Sequence, residues 1–168
     1  MIFPKTYKSL TKQEFIGNGY KISPIKYEHR IKILKWRNEQ IIHLRQKKLL
    51  TKSDQDNYFN NVLRKTFDEM LPNQILFSFY HKDKFVGYGG LVHIDWKKKI
   101  AEISFLMNTL LEKNFFVEYW INFLDLIEDV AFNDLKLNKI FLVVFDVRPL
   151  LYKVIEKSGY LFSKKMKN

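Results

Sequence analysis

The chain is predicted to fold as an α/β protein of the mixed, α+β kind, and three features of its sequence carry that expectation. Apolar residues make up 46% and aromatic residues 16% of its 168 positions, enough to bury a substantial core in one domain spanning 1–168. Three strand-sized apolar runs follow one another between residues 75 and 107, separated only by polar turns, which reads as an antiparallel meander. On either side lie segments whose apolar residues recur at helical spacing.

Tyr20–Pro24 reads as a short first strand that Pro24 stops. A helix follows, with Ile31, Leu34 and Ile41 as its apolar stripe, Trp36 or Arg37 between them, and Glu28, Arg30, Lys32 and Lys35 in water. Residues 46–51 are basic and break the period, so they form a loop. A second helix begins near Ser53, whose hydroxyl can cap the first turn while Asp54 and Asp56 oppose the positive helix end. Tyr58, Phe59, Val62, Leu63 and Phe67 make its buried face. The meander covers 75–80, 85–94 and Ile100–Met107, with a polar four-residue turn at 81–84. Phe116, Trp120, Phe123, Leu124, Ile127, Val130 and Ala131 then repeat as one face of a long helix. A buried-type strand over 140–145, a bend at 146–149, a last helix from about Leu150 to Lys157 and the pair Gly159-Tyr160 follow.

Several classes drop out on composition. Without cysteine the chain has no disulfide, thiolate zinc site or cysteine nucleophile, and its four histidines stand in no metal-ligand spacing, so no metal is expected. The apolar runs fall short of the roughly 20 residues that cross a bilayer, and residues 1–10 lack a signal peptide's apolar core. A cytoplasmic protein without a membrane partner is expected. The net charge of +11 fits nucleic acid, a membrane surface or a polyanionic small molecule, and it equally fits compositional bias, because lysine is spread along the whole chain. The aromatic residues fall at core spacing rather than as base-stacking platforms, so nucleic acid is not expected as a partner.

The order strand, helix, helix, three strands, helix, strand, helix is similar to that of the GNAT superfamily of acyl-CoA N-acyltransferases, and the resemblance covers nearly the whole chain. Trp36-Arg37-Asn38 resembles the W-R-N of the branch that acetylates protein N-termini and amino sugars. Residues 86–95, VGYGGLVHID, resemble that branch's third strand, and residues 101–106, AEISFL, its fourth. Residues 136–160 resemble the family's closing part, where a strand splays from its neighbour and the gap admits coenzyme A. The resemblance implies a mixed, mostly antiparallel central sheet flanked by helices. It also implies transfer of acetyl from acetyl-CoA to the primary amine of an amino sugar or a peptide N-terminus, by direct attack.

In that frame the pantetheine arm pairs with the backbone of Phe105, Leu106 and Met107, and pyrophosphate sits on the amides opening the next helix, at Lys113, Asn114 and Phe115. The family's loop there is R/Q-x-x-G-x-G/A, yet this chain has no glycine between Gly90 and Gly159. Either a turn without glycine keeps the phosphate site, or the site is lost and a GNAT-like binding or assembly module remains. Eleven residues before Gly159, where the family often has Asn, stands Arg148, a phosphate contact or a surface arginine at a helix start. Four residues before it, Ile155 takes the place of the family's tyrosine acid.

Candidate bases are Glu102, sharing a strand face with Ser104 and Leu106, and His93, whose face Asp95 shares and could help orient. Their alternatives are a salt-bridged strand glutamate and a hydrogen-bonded structural histidine. Trp36, Arg37, Asn38 and Tyr88 border the acceptor side. Arg37 either holds a carboxylate or phosphate of the substrate or pairs with an acid such as Glu39, and Arg45, Lys47 and Lys48 add positive charge nearby. The family continues after Gly-Tyr/Phe with a two-stranded hairpin, whereas here nine residues follow Gly159 and only Leu161 and Phe162 can start a strand. That hairpin is expected to be missing, leaving the 140–145 strand with an open edge through which a homodimer forms.

Overall fold

Two short strands open the sheet as a hairpin: β1 (Phe15–Gly17) and β2 (Tyr20–Pro24) are joined by Asn18 and Gly19, at φ 56° and 83°. Asn-Gly suits a two-residue hairpin loop because both positions need positive φ. This strand precedes the first one expected from the sequence. The computed structural model describes residues 2–145 and 148–164, so Asp146 and Val147 of the expected bend lie outside them.

Six strands form one sheet in the order β1-β2-β3-β4-β5-β6. The meander of β3 (Ile75–His81), β4 (Lys84–Asp95) and β5 (Ile100–Met107) is antiparallel as predicted, and β6 (Lys139–Phe141) runs parallel to β5. The β3–β4 turn is tighter than expected, with Lys82 and Asp83 both at positive φ, 49° and 65°. Helices lie on both faces, giving the mixed, mostly antiparallel sheet that was anticipated.

Helix α1 (Arg30–Glu39) buries Ile33 and Trp36, with Gln40 just beyond its end, and leaves Ile31 42% exposed. The stripe expected at Ile31, Leu34 and Ile41 also has helical spacing. Tertiary contacts choose between them: the Trp36 ring packs against Phe85, and Gln40 hydrogen-bonds the end of β5. Helix α2 (Lys52–Asn57) is capped by Thr51 rather than Ser53. Thr51 Oγ1 accepts from Asp54 N at 3.1 Å and Asp54 Oδ2 accepts from Thr51 N at 2.8 Å, a reciprocal pair that Ser53 cannot form. A π-helical stretch (Tyr58–Leu63) leads into α3 (Arg64–Thr66); its wider turn carries Val62 outward while Phe59, Leu63 and Phe67 stay buried.

Helix α4 (Glu112–Glu128), with its π-helical continuation Asp129–Asp134, buries all seven residues of its predicted stripe against the opposite sheet face. Phe123 stacks on Phe105 with ring centroids 4.2 Å apart, and the two rings approach the β4 backbone at Gly89 and Gly87 respectively. Helix α5 (Pro149–Lys157) starts on proline, whose missing N–H costs nothing in a first turn. Among the described residues no helix is long and apolar enough to cross a membrane, and no cluster of His, Asp or Glu could hold a metal ion.

His29 ties the start of α1 to the sheet: its Nδ1 lies 2.8 Å from Ser78 Oγ and its ring stacks on Phe85 at 3.6 Å. Burial pulls its pKa down from 6.5 to about 4. Between those two values the unfolded chain takes up a proton that the folded chain refuses, so stability falls as pH drops through the window and levels off below it. The expected loss is about 2 kcal/mol, discounted for partial burial. Urea midpoints at pH 7 and pH 4 check it, with His29→Asn expected to remove that share of the slope.

Candidate active site

Strand β6 stays with β5 for three pairs, Ile100↔Lys139, Ala101↔Ile140 and Glu102↔Phe141, and then leaves it. Strand β5 continues to Met107 against β4 alone. The strand predicted over 140–145 is therefore cut short at Phe141, and residues 142–145 follow without strand pairing. The result is a fork with Glu102 at its base and one flank of 103–107 without a strand partner. Met107, expected to lend its backbone there, is already engaged: its carbonyl accepts from Gln40 Nε2 at 2.8 Å. Phe105 and Leu106 have buried side chains, so only their backbone can face the fork.

Both candidate bases meet at this base. Alternation would put His93 on the α4 face with Leu91, but the β4–β5 register slips between Val92 and Asp95 and His93 takes φ 49°. The bulge swings it to the other face. There His93 Nδ1 lies 2.5 Å from Glu102 Oε2, while Arg45 Nη2 donates to Glu102 Oε1 at 2.5 Å. Asp95, expected on the same face as His93, instead accepts from Lys98 N at 2.9 Å. Glu102 is 8% exposed and His93 66%. A carboxylate only accepts, so Nδ1 carries the ring proton and the water-facing Nε2 keeps its lone pair. The pair can thus take up a proton at Nε2 and spread the resulting charge onto Glu102.

Tyr88, Val92 and Ser104 share the sheet face of Glu102, since Val92 stands opposite Glu102 and Gly90 opposite Ser104. They floor a cavity of about 340 Å³ roofed by α1 and the α2 region, with Arg37, Asp54, Gln55, Tyr58 and Gln74 as its other polar walls. His93 and Glu102 adjoin this cavity without lining it. Arg37 Nη1 donates to Tyr88 Oη at 2.8 Å, and that phenol holds the guanidinium charged against the opposing effect of burial. Tyr58 Oη donates to Gln74 Oε1 at 3.1 Å, and burial pushes its pKa up, with Tyr88 adding to the shift.

A second cavity, also about 340 Å³, opens at the first turn of α4 between His43, Glu112, Lys113, Phe116, Arg148, Pro149 and Leu150. The turn that precedes it, Thr109–Leu111, is a 3-10 turn built without glycine, and no side chain caps α4. Arg148 is 12% exposed and is no surface arginine: Nη2 donates to Glu112 at 2.8 Å and to Gln40 Oε1 at 3.3 Å, with the guanidinium over Phe116. Lys113 and Asn114 are exposed, whereas the Phe115 ring turns away onto Tyr119.

Of the four acceptor-side residues, Arg37 and Tyr88 line the first cavity and two do not. Trp36 is core. Asn38 clamps the loop that follows α1, accepting from Leu50 N and Gln46 Nε2 and donating to Leu50 O, each at 2.9 Å. Arg37 does not pair with Glu39, which bonds Lys35 and Thr109 instead. Sequence reasoning did not find Arg45 as the partner of Glu102, nor Tyr58, Gln74 and Ser104 as cavity walls. Tyr58 was legible only as one of a helix's apolar residues, Ser104 only as sharing the strand face of Glu102 and Arg45 only as added positive charge, and nothing local marks Gln74.

A search of curated proteins gives no match. Solved structures share the fold. Spermidine N-acetyltransferase from Vibrio cholerae in complex with CoA and spermine aligns with TM-score 0.72 at 16% identity, over 88% of this chain and 84% of that one. A dodecameric structure of the Vibrio cholerae spermidine enzyme aligns with TM-score 0.69 at 16% identity, over 88% and 82%. A GCN5-related N-acetyltransferase from Brucella melitensis aligns with TM-score 0.69 at 15% identity, over 95% and 72%. The model of the acetyltransferase (GNAT) domain matches residues 22–168, most of the chain, and the protein therefore belongs to that family of N-acetyltransferases.

Proposed function

We propose that the protein, as a single catalytic domain, moves an acetyl group from acetyl-CoA to a primary amine by direct attack, at the fork between β5 and β6. The observation that carries this reading is the fork itself, an open strand flank with a proton acceptor at its base. Acetyl-CoA supplies the activated acyl thioester. The free backbone edge around Phe105 and Leu106 suits an arm that hydrogen-bonds like a strand, with Met107 excluded by Gln40. The amides opening α4, with Lys113, Asn114 and Arg148 beside them, suit a pyrophosphate, so the turn Thr109–Leu111 does the work of a glycine loop. His93 takes the amine's proton at Nε2, directly or through one water, and Glu102 holds the ring and balances its charge. The acceptor class of the amino-sugar and N-terminal branch rests here on Arg37 and Tyr88, because Trp36 and Asn38 serve the fold.

Calorimetry of the folded protein with acetyl-CoA tests this. Micromolar binding is expected, weakened about tenfold in Arg148→Ala and several-fold in Lys113→Ala, as loss of charge-assisted phosphate contacts predicts. No heat at millimolar acetyl-CoA would sink the enzyme reading and leave a binding or assembly module.

A further inference from the structure

Arg37 is a cation enclosed by the cavity wall with no anion among the described residues to balance it. Its one hydrogen bond among the described residues goes to the Tyr88 hydroxyl, and none of their carboxylates stands within ion-pair distance of it. Removing a guanidinium from water costs several kcal/mol unless a partner compensates, and a single phenol does not. Asp54, the only acid among the described residues that line the cavity, is spent elsewhere: its carboxylate closes the capping box of α2, where the helix end and Lys48 offset its charge. Exposed Lys47 and Lys48 stand on the loop that covers Arg37's helix, and the whole chain carries +11. Ile25, Ile33, Leu50, Phe59, Leu76 and Val92 are its apolar walls, and the other polar residues of the lining are uncharged.

Building on the acetyl-transfer reading, we infer that the acceptor is an amine carrying its own anionic group, a phosphate or a carboxylate, and that Arg37 in the α1–β4 cavity is the residue that selects it. A guanidinium presents a planar fork of N–H donors that matches either anion with two parallel bonds. Tyr88 spends one donor and fixes the orientation of the rest. The apolar walls then take the carbon skeleton, and the amine is left to reach Ser104 and the fork beyond it. A polycationic amine meets the opposite field: it would place positive charge against Arg37 with only the capped Asp54 to receive it.

Paired substrates read this directly. Glucosamine 6-phosphate is compared with glucosamine, alanine with alaninamide, and spermidine stands as the polycation, each with saturating acetyl-CoA. The anionic member of at least one pair is expected to be favoured at least tenfold in kcat/KM. Arg37→Gln is expected to raise its KM by about 30-fold to 100-fold and erase the preference, while Arg37→Lys restores part of it. Thermal shift at millimolar amine provides a second readout, with the anionic amines stabilising wild type and not Arg37→Gln. Preference for the neutral members or spermidine, a preference unchanged in Arg37→Gln, or no stabilisation by any anionic amine overturns the assignment. Each of these counts only against Arg37 when calorimetry still shows acetyl-CoA bound; loss of that binding in wild type is the failure of the acetyl-transfer reading instead.

Discussion

Substituting alanine for Gly90 is expected to unfold the protein, while the same substitution at Gly17 leaves it folded. A Cβ on Gly90 would stand 2.0 Å from the carbonyl oxygen of Ile75 and 3.0 Å from the Leu76 Cα. Both are backbone atoms of a paired strand, so nothing there can turn aside as a flexible side chain can. Relief requires β3 and β4 to separate at the centre of the sheet, with Gly90↔Leu76 as one of the broken pairs. The expected cost exceeds about 4 kcal/mol, a large part of the roughly 5–15 kcal/mol that holds a domain together. Gly89→Ala should behave alike, since its Cβ would lie 2.1 Å from Ser104 O and 2.8 Å from the Phe105 Cα. At Gly17 the nearest atom is Leu126 Cδ2 at 3.8 Å, an ordinary contact. Soluble yield, circular dichroism and urea midpoints for the three variants decide it; Gly90→Ala within about 1 kcal/mol of wild type would falsify the close-approach account.

The same glycines show why the sheet was legible and parts of the site were not. The string VGYGG announces a strand that neighbours press against, and the structure supplies the neighbours, β3 at Gly90 and β5 at Gly89. Apolar period likewise sufficed for α4, where every stripe residue is large and nothing competes. It failed for α1, because two sets of residues fit one period and the choice belongs to Phe85 and Met107, which lie 49 and 67 residues away in sequence from Trp36 and Gln40 respectively. The Asn18-Gly19 hairpin carries a local signal of known type, and the first strand expected from the sequence is the second strand of that hairpin. Glu102 and His93 were each visible as strand residues of suitable chemistry. Their meeting was not, since it depends on a bulge that reverses the face of His93 and on Arg45, which the sequence shows only as added positive charge beside the acceptor side, reaching Glu102. Alternation is a rule for unbroken ladders, and here the candidate base sits where the ladder breaks.

Replacing His93 by alanine is expected to lower kcat by about 10² to 10³, the usual worth of a positioned general base, with KM for acetyl-CoA unchanged. The remaining activity should climb with pH, because the amine must then lose its proton to solvent, and added imidazole should restore part of the rate at neutral pH. A residue that merely shapes the β4 bulge would give neither result. Glu102→Gln separates orientation from packing. The amide has nearly the same shape, and Arg45, 52% exposed, can turn to water when its partner loses charge. The amide NH₂ can also face Nδ1, which moves the ring proton to Nε2 and removes the base, as happens when a triad carboxylate becomes an amide. A loss of about 10-fold to 100-fold in kcat is expected, with wild-type acetyl-CoA affinity, and Glu102→Asp should recover part of it. If His93→Ala retains kcat within about threefold and imidazole adds nothing, the proton leaves by another route and the pair is structural. One carboxylate, buried to 8% exposure, is gripped by Arg45 on both oxygens and by His93 on Oε2, and only the histidine keeps an atom free to react.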